Sequence, residues 1–325
     1  MARARAAKGA GSKRRKPTRR GAEPAGEREP SATPPAAPTA PAAAPKPKAK
    51  GAWWLLGVAA LLAAAIAYIE LGHPPSDAPP PGAASASASG AVPAPEALAV
   101  RVVRRYPHDP DAFTQGLLWH DGHLYESTGQ YGRSSVRRVA LETGEVLATR
   151  SLERRLFGEG LARVDDRLYL LTWQEGEAHV FSLDGLEHTR RFSYDGEGWG
   201  LCFDGEHLVM SDGSERLFFR RPDTFRVDRV VRVRDDRGIV RELNELECVD
   251  GAVWANVWQS DRIVRIDPAS GHVTGSVDAS GLLADAEQRE ADVLNGIAWI
   301  AERGRFVITG KYWPWLFEVD FVPAE

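Results

Sequence analysis

Cysteine is nearly missing from this chain. Two in 325 residues are too few for a disulfide scaffold. A folded portion of some 230 residues buries ample core without one. Also missing is any Gly-x-Ser-x-Gly strand-to-helix turn, and no cysteine stands in a pattern that pairs it with histidine, so a nucleophilic serine or cysteine mechanism finds no support. None of the eight histidines has zinc-ligand spacing, and His120, His123 and His207 fall in hairpin turns, where surface positions are expected. Beyond about residue 97 no sustained helical period appears.

Other absences divide the chain. Residues 1–50 have no aromatic side chain and no hydrophobic period. They carry 13 Lys and Arg against 3 Asp and Glu, a net of +10. Such a segment cannot bury enough apolar surface to offset the entropy of ordering it, and it reads as a disordered basic tail. Gly51 to Ile69 lacks charge altogether, and Trp53, Trp54 and Tyr68 stand at its two ends. As a helix it would rise about 28 Å, close to the hydrocarbon thickness of a bilayer. The sequence therefore predicts a retained transmembrane anchor over 51–72, with a cleaved signal peptide as the alternative. The positive flank belongs in the cytoplasm, so all that follows residue 72 is expected outside it, in the periplasm or beyond. A nucleic-acid arm is the lesser reading of the same charge. Residues 73–96, rich in Pro, Ala and Ser, read as a linker. The chain beyond the tail is acidic, with a net charge of −14, and gives no hint of polyanionic partners.

From 97 to 325 short apolar alternations are broken by turn signals. Leu117-Leu118-Trp119 runs through His120-Asp121-Gly122 into Leu124-Tyr125-Glu126. The plan returns at Leu161 to Trp173 and at Leu201 to Ser211. Asp-Gly between alternating apolar residues signals a hairpin. Gly116, Gly160, Gly200, Glu245 and Gly296 mark one repeat at steps of 44, 40, 45 and 51 residues. Four short strands per unit at this spacing predict an all-β, five-bladed β-propeller. The last unit is a strand short, and Ala99 to Val103 is its natural donor. Cys202 and Cys248 lie at offsets of three and four from Trp199 and Asn244. They are expected on opposite faces of their strands, as two buried thiols rather than a disulfide.

In such a fold the start of each first strand and the end of each second strand emerge at one rim. The repeat puts Gln115, Glu159, Trp199, Asn244 and Asn295 there from first strands, and Glu126, Trp173, Asp212, Trp258 and Lys311 from second strands. Any one of these could be a solvated loop residue. A carboxylate, a lysine, amides and indoles converging together suit a small polar ligand held against apolar walls.

The motifs Ala112-Phe113-Thr114-Gln115-Gly116-Leu117, Phe157-Gly158-Glu159-Gly160, Leu171-Thr172-Trp173, Gly198-Trp199-Gly200, Leu243-Asn244-Glu245-Leu246-Glu247, Ala255-Asn256-Val257-Trp258 and Thr309-Gly310-Lys311-Tyr312-Trp313-Pro314 occur in this order. Together they resemble the plant- and bacterial-type glutaminyl cyclases, or glutamine cyclotransferases, across residues 106–321. The resemblance implies a propeller transferase that converts the N-terminal glutamine of a peptide or protein to pyroglutamate with release of ammonia. It implies Glu159 and Lys311 as catalytic groups, Gln115 and Asn244 as polar contacts, and an aromatic pocket of Phe113, Phe157, Trp173, Trp199 and Trp258. The basic tail and anchor depart from it, since many relatives look secreted.

The residue types fit that chemistry in their own right. Cyclisation needs a base for the α-amine and an acid for the departing amide nitrogen, and one enclosed carboxylate that reaches both can serve as each. Glu159 is suited to that shuttle. Lys311, Gln115 and Asn244 are candidate donors to the developing oxyanion. No cofactor and no metal is required. Two other readings use the same rim. One is a metal-dependent hydrolase of the lactonase kind, with Glu159, Asn244, Asn295 and Asp212 as oxygen ligands; Lys311 beside them opposes it. The other is a non-enzymatic propeller that binds peptides or glycans.

Overall fold

The computed structural model describes residues 92–325, and the tail, the anchor and most of the linker lie outside the described residues. Among the described residues no helix is long and apolar enough to cross a membrane. The chain enters through β1 (Glu96–Pro107) and then builds four-stranded antiparallel sheets in sequence order. The first comprises β2 (Thr114–His120), β3 (His123–Thr128), β4 (Ser135–Val139) and β5 (Val146–Ser151). The second comprises β6 (Gly158–Val164), β7 (Arg167–Thr172), β8 (Glu177–Ser182) and β9 (His188–Ser193). The third comprises β10 (Leu201–Phe203), β11 (Leu208–Ser211), β12 (Arg216–Arg220) and β13 (Val227–Arg232), and a small hairpin of β14 (Arg234–Asp235) and β15 (Gly238–Ile239) follows it. The fourth comprises β16 (Leu243–Val249), β17 (Ala252–Val257), β18 (Arg262–Ile266) and β19 (Val273–Asp278). One short helix, α1 (Asp285–Gln288), the single one among the described residues, leads to the fifth sheet, β20 (Leu294–Ile300), β21 (Arg305–Gly310) and β22 (Trp315–Pro323).

The apolar alternation gives each sheet two buried faces, and each face meets a different neighbour. Leu118 and Val136 pack on Leu161 and Leu170 between the first and second sheets. Leu171 and Val180 pack on Leu201 and Met210 between the second and third. Val209 and Phe219 meet Leu246 and Val264, and Ile263 and Val277 meet Ile297 and Ile308. The fifth cluster joins Ala298 and Val307 of the last sheet to Leu117 and Leu124 of the first. Five sheets with five interfaces close a ring, a propeller-like arrangement. The fourth strand of the fifth sheet is β1, which pairs antiparallel with β22 from Leu98↔Pro323 to Pro107↔Trp315. Its first residues also run parallel to β19, from Glu96↔Gly275 to Ala99↔Asp278, so the strand bridges two sheets.

The expectation of two free thiols is overturned, because Cys202 and Cys248 form a disulfide with a Cα–Cα distance of 5.5 Å. The expected parity was sound and the conclusion drawn from it was not. In a ring of stacked sheets the forward face of one sheet looks at the backward face of the next. Cys202 sits on the forward face of β10, and Leu246 and Cys248 sit on the backward face of β16. Side chains of opposite parity on neighbouring sheets are therefore the ones that meet.

Each first strand begins with a bulge. The register slips by one between Thr114 and Gly116, Gly158 and Leu161, Leu243 and Leu246, and Leu294 and Ile297. The third sheet does the same, with Trp199 N–H donating to the Ser211 carbonyl while Ser211 N–H donates to that of Gly200. A bulge re-aims one side chain away from the pleat. Here it turns Gln115, Glu159, Trp199, Asn244 and Asn295 out of the strand packing. The glycine that follows has a steric cause: a Cβ on Gly200 would overlap the Asn244 carbonyl of the next inner strand.

Candidate active site

At that end of the ring lies a cavity of about 260 Å³ lined by Phe113, Gln115, Phe157, Glu159, Trp173, Trp199, Asn244, Trp258 and Lys311, together with Gln259, Asp292 and Val293. All nine residues expected to act or bind are in it.

Glu159, in the bulge of β6, is only 4% exposed. Its Oε1 accepts a hydrogen bond from Gln115 Nε2 at 2.7 Å. Burial pushes its carboxyl well above the ordinary range, the Lys311 ammonium pulls it back, and the Glu197 and Glu175 carboxylates add to the rise. Lys311 is 5% exposed, and its Nζ stands 4.6 Å from the centre of the Phe113 ring. Burial lowers its pKa, against the pull of Glu159 and Asp292. Burial thus biases both groups toward their neutral forms, as is common for acid–base groups in an enclosed site. Gln115 is itself oriented. Asn295 Nδ2 donates to Gln115 Oε1 at 3.2 Å and to the Thr114 carbonyl at 3.0 Å, which leaves the Gln115 amide nitrogen to face Glu159. Asn295 therefore acts through Gln115 and does not line the cavity. The Asn244 side-chain oxygen is buried and has no hydrogen-bond partner among the described residues.

The walls are rings set edge to face. Phe157 lies 5.5 Å from Trp173 and 5.9 Å from Phe113, and Trp199 lies 5.5 Å from Trp258. Tyr131 and Tyr312 extend the apolar surface from Phe157 and Phe113.

Three of the ten positions expected at the rim do not line the cavity: Asn295, which stands behind Gln115, and two others. Glu126 is buried inside the first sheet, where His108 Nε2 lies 3.0 Å from it, Thr114 Oγ1 donates at 2.6 Å and Arg137 Nε at 2.8 Å. Burial disfavours its ionisation, yet Arg137 and His108 hold its carboxyl below the usual range. The rim position belongs to Gly129, whose N–H donates to the Phe113 carbonyl as that of Trp173 does to Phe157 and that of Lys311 does to Val293. A Cβ on Gly129 would overlap the Phe157 ring, so the missing side chain makes room for an aromatic wall. Asp212 turns into its own loop, where it accepts hydrogen bonds from Ser214 N–H at 3.1 Å and Arg216 Nη2 at 3.0 Å. With Asp212 and Asn295 engaged elsewhere, the oxygen set imagined for a hydrolytic metal shrinks to Glu159 and Asn244 beside a lysine. Among the described residues no group of three or more His, Cys, Asp or Glu could hold a metal ion.

A profile of the glutamine cyclotransferases matches residues 80–321. The chain belongs to the glutamine cyclotransferase family. A curated glutaminyl-peptide cyclotransferase of Arabidopsis thaliana is 44% identical over 231 residues, which is 70% of this chain and 72% of that protein. The crystal structure of Myxococcus xanthus glutaminyl cyclase superposes with a TM-score of 0.64 at 41% identity, over 71% of this chain and all of the other.

Sequence reasoning had missed several contributors of this cyclotransferase site. Val293 was legible. It stands two residues before Asn295, as Phe113 stands before Gln115 and Phe157 before Glu159, so the repeat that located the bulges also points to it. Asp292 and Gln259 come from connections that follow no repeat.

Proposed function

We propose that this chain is a glutaminyl-peptide cyclotransferase on a five-bladed β-propeller, acting on peptides or proteins that begin with glutamine, with Glu159 as the proton shuttle. One observation carries the role of Glu159. Of the five bulge positions it alone bears an ionisable group, and it is buried, biased toward protonation and faced by the Gln115 amide and Lys311.

The substrate glutamine enters with its side chain folded back between Trp173, Trp199, Trp258 and Phe157. Water is largely excluded there, so the internal amine outcompetes hydrolysis. The α-amine attacks the side-chain amide carbon while the Glu159 carboxylate takes the proton that nitrogen loses. The tetrahedral carbon carries its charge on oxygen. The donors that line the cavity for it are Lys311 and the second N–H of the Gln115 amide, whose first is engaged with Glu159. Glu159 then returns its proton to the amide nitrogen, the carbon–nitrogen bond breaks, and ammonia leaves with the five-membered lactam behind. The unpartnered Asn244 oxygen suits the incoming ammonium or amine of the substrate. Every atom and proton is accounted for without a cofactor.

Turnover is tested with a short glutamine-initiated peptide, its α-acetylated counterpart as a control, and parallel reactions with a chelator. Loss of one ammonia from the first peptide only, unaffected by chelation, is the expected result. No loss above the spontaneous rate would leave a binding propeller as the better reading, and loss of activity on chelation would favour a metal enzyme.

We further propose that the domain works outside the cytoplasm, tethered by the apolar run of Gly51 to Ile69. The charge step before that run supports this, and the Cys202–Cys248 bond is of the kind that persists in oxidising compartments. Protease added to spheroplasts should release the domain; its protection would reverse the orientation.

A further inference from the structure

At the position two residues before each bulge the repeat places Phe113, Phe157, Glu197, Glu242 and Val293. Three of these five line the cavity with apolar atoms. Glu197 occupies the same place in the third sheet with a carboxylate, half-buried and outside the cavity wall. A single oxygen of that carboxylate, Oε2, accepts from Trp173 Nε1 at 2.8 Å and from Trp199 Nε1 at 3.0 Å, while Oε1 accepts from Gln174 Nε2 at 3.2 Å. Trp173 directly follows the second strand of one sheet, β7, and Trp199 stands two residues before the first strand of the next, β10.

We infer that Glu197 is a positioning residue of the glutamine pocket, one acceptor that clamps the indoles of Trp173 and Trp199 and so fixes two walls contributed by different sheets. This rests on the cyclotransferase reading of the site. The physical need is plain. The outer torsion of a tryptophan side chain is broad, and an indole without an acceptor can swing while still filling its pocket. Half-buried indole N–H groups also lose much of their bonding to water and need a partner. A charged acceptor shared between two donors satisfies both and ties their orientations together. The acceptor is itself anchored, because the segment carrying it is bound to both sheets. Gly198 N–H donates to the Trp173 carbonyl at 2.9 Å, and Trp199 N–H donates to that of Ser211 at 3.0 Å.

Misplacing a wall by an ångström or so lowers the fraction of bound glutamine in the cyclising conformation. The expected loss is therefore in kcat more than in KM. Glu197→Gln keeps a neutral acceptor and should lower kcat about fivefold. Glu197→Ala removes it and should lower kcat by on the order of fiftyfold, with KM changed less than threefold. In the Trp173→Phe background one of the two donors is gone, so the effect of Glu197→Ala should shrink several-fold, a coupling that a merely structural residue would not show. The near-ultraviolet circular dichroism of the tryptophans should lose intensity in both Glu197 variants while the melting temperature of Glu197→Gln stays near wild type. Wild-type kcat with an unchanged dichroism band in Glu197→Gln would overturn the clamp, as would strictly additive losses in the double variant. Turnover of the wild-type chain is measured first. Its absence would defeat the activity reading alone, and the dichroism arm would still decide the clamp.

Discussion

Glu159 and Glu247 are both inner-strand carboxylates that burial drives toward the protonated form. They differ in what lies within reach. Glu159 faces an amide donor, an ammonium and a cavity, whereas Glu247 accepts a hydrogen bond from Trp299 N–H at 2.8 Å and meets no cavity. Replacing Glu159 by Gln keeps shape and polarity but removes the proton carrier. Turnover should fall by at least a thousandfold with the far-ultraviolet dichroism unchanged, and near-full activity would remove Glu159 from the mechanism. Glu247 makes the opposite test. Its carboxyl is pushed up to about 8 by burial, from 4.5 when free. The folded state therefore binds the proton more tightly, and stability declines as pH rises from about 4.5 through 8. Glu247→Gln should match wild type near pH 4 and exceed it by on the order of 5 kcal/mol at pH 9 in urea unfolding, with turnover intact. A variant that loses stability at high pH would refute that sign.

Among the elements, the first strands of the sheets explain what could be read from sequence and what could not. Asp-Gly turns and the glycine that follows four of the five bulges are local signals, set by backbone angles and by close approach of neighbouring strands, so the repeat and its bulge positions are legible even where Glu245 takes the glycine's place. Places at the ends of second strands depend on register. Glu126 falls three residues short of the place at the strand's end that Gly129 takes, more than the one-residue bulge opposite could account for. The true position holds a glycine, and an absent side chain leaves no chemical signal. The Glu126 network was invisible for a further reason, since His108 comes from the segment before β2 and Arg137 from β4. Its energetics are testable. Glu126→Gln leaves Arg137 and His108 without their shared anion, and should cost about 3 kcal/mol at pH 7. Because the Glu126 pKa is lowered in the folded state, that contribution is present above about 4.5 and fades as pH falls, so the two proteins should converge in acid. Chemical denaturation at pH 7 and pH 3 measures both. An equal gap at the two values would mean the interaction is not ionic.

The molecule as a whole is closed twice. The Cys202–Cys248 bond joins the third and fourth sheets across a separation of 46 residues. In the chain-entropy account a loop of that size contributes about 4 kcal/mol. Cys202→Ser should lower the free energy of unfolding by roughly that amount, and a reductant should do the same to wild type but nothing to the variant. A wild type indifferent to reductant would mean the bond does not form in solution.

The second closure is β1. Leaving the ribosome among the first described elements, β1 cannot take its place in the fifth sheet until β22, about 220 residues later, has been made. Until then β1 has at most its short parallel pairing with β19, and a chain cut short before β22 leaves the fifth sheet's place for it unmade. An open strand edge accepts any matching strand, including β1 of a second copy. Closure of the ring thus doubles as a length check on the polypeptide. The same device predicts that refolding at high concentration yields some dimer by exchange of β1, which size-exclusion chromatography would detect and an all-monomer product would exclude.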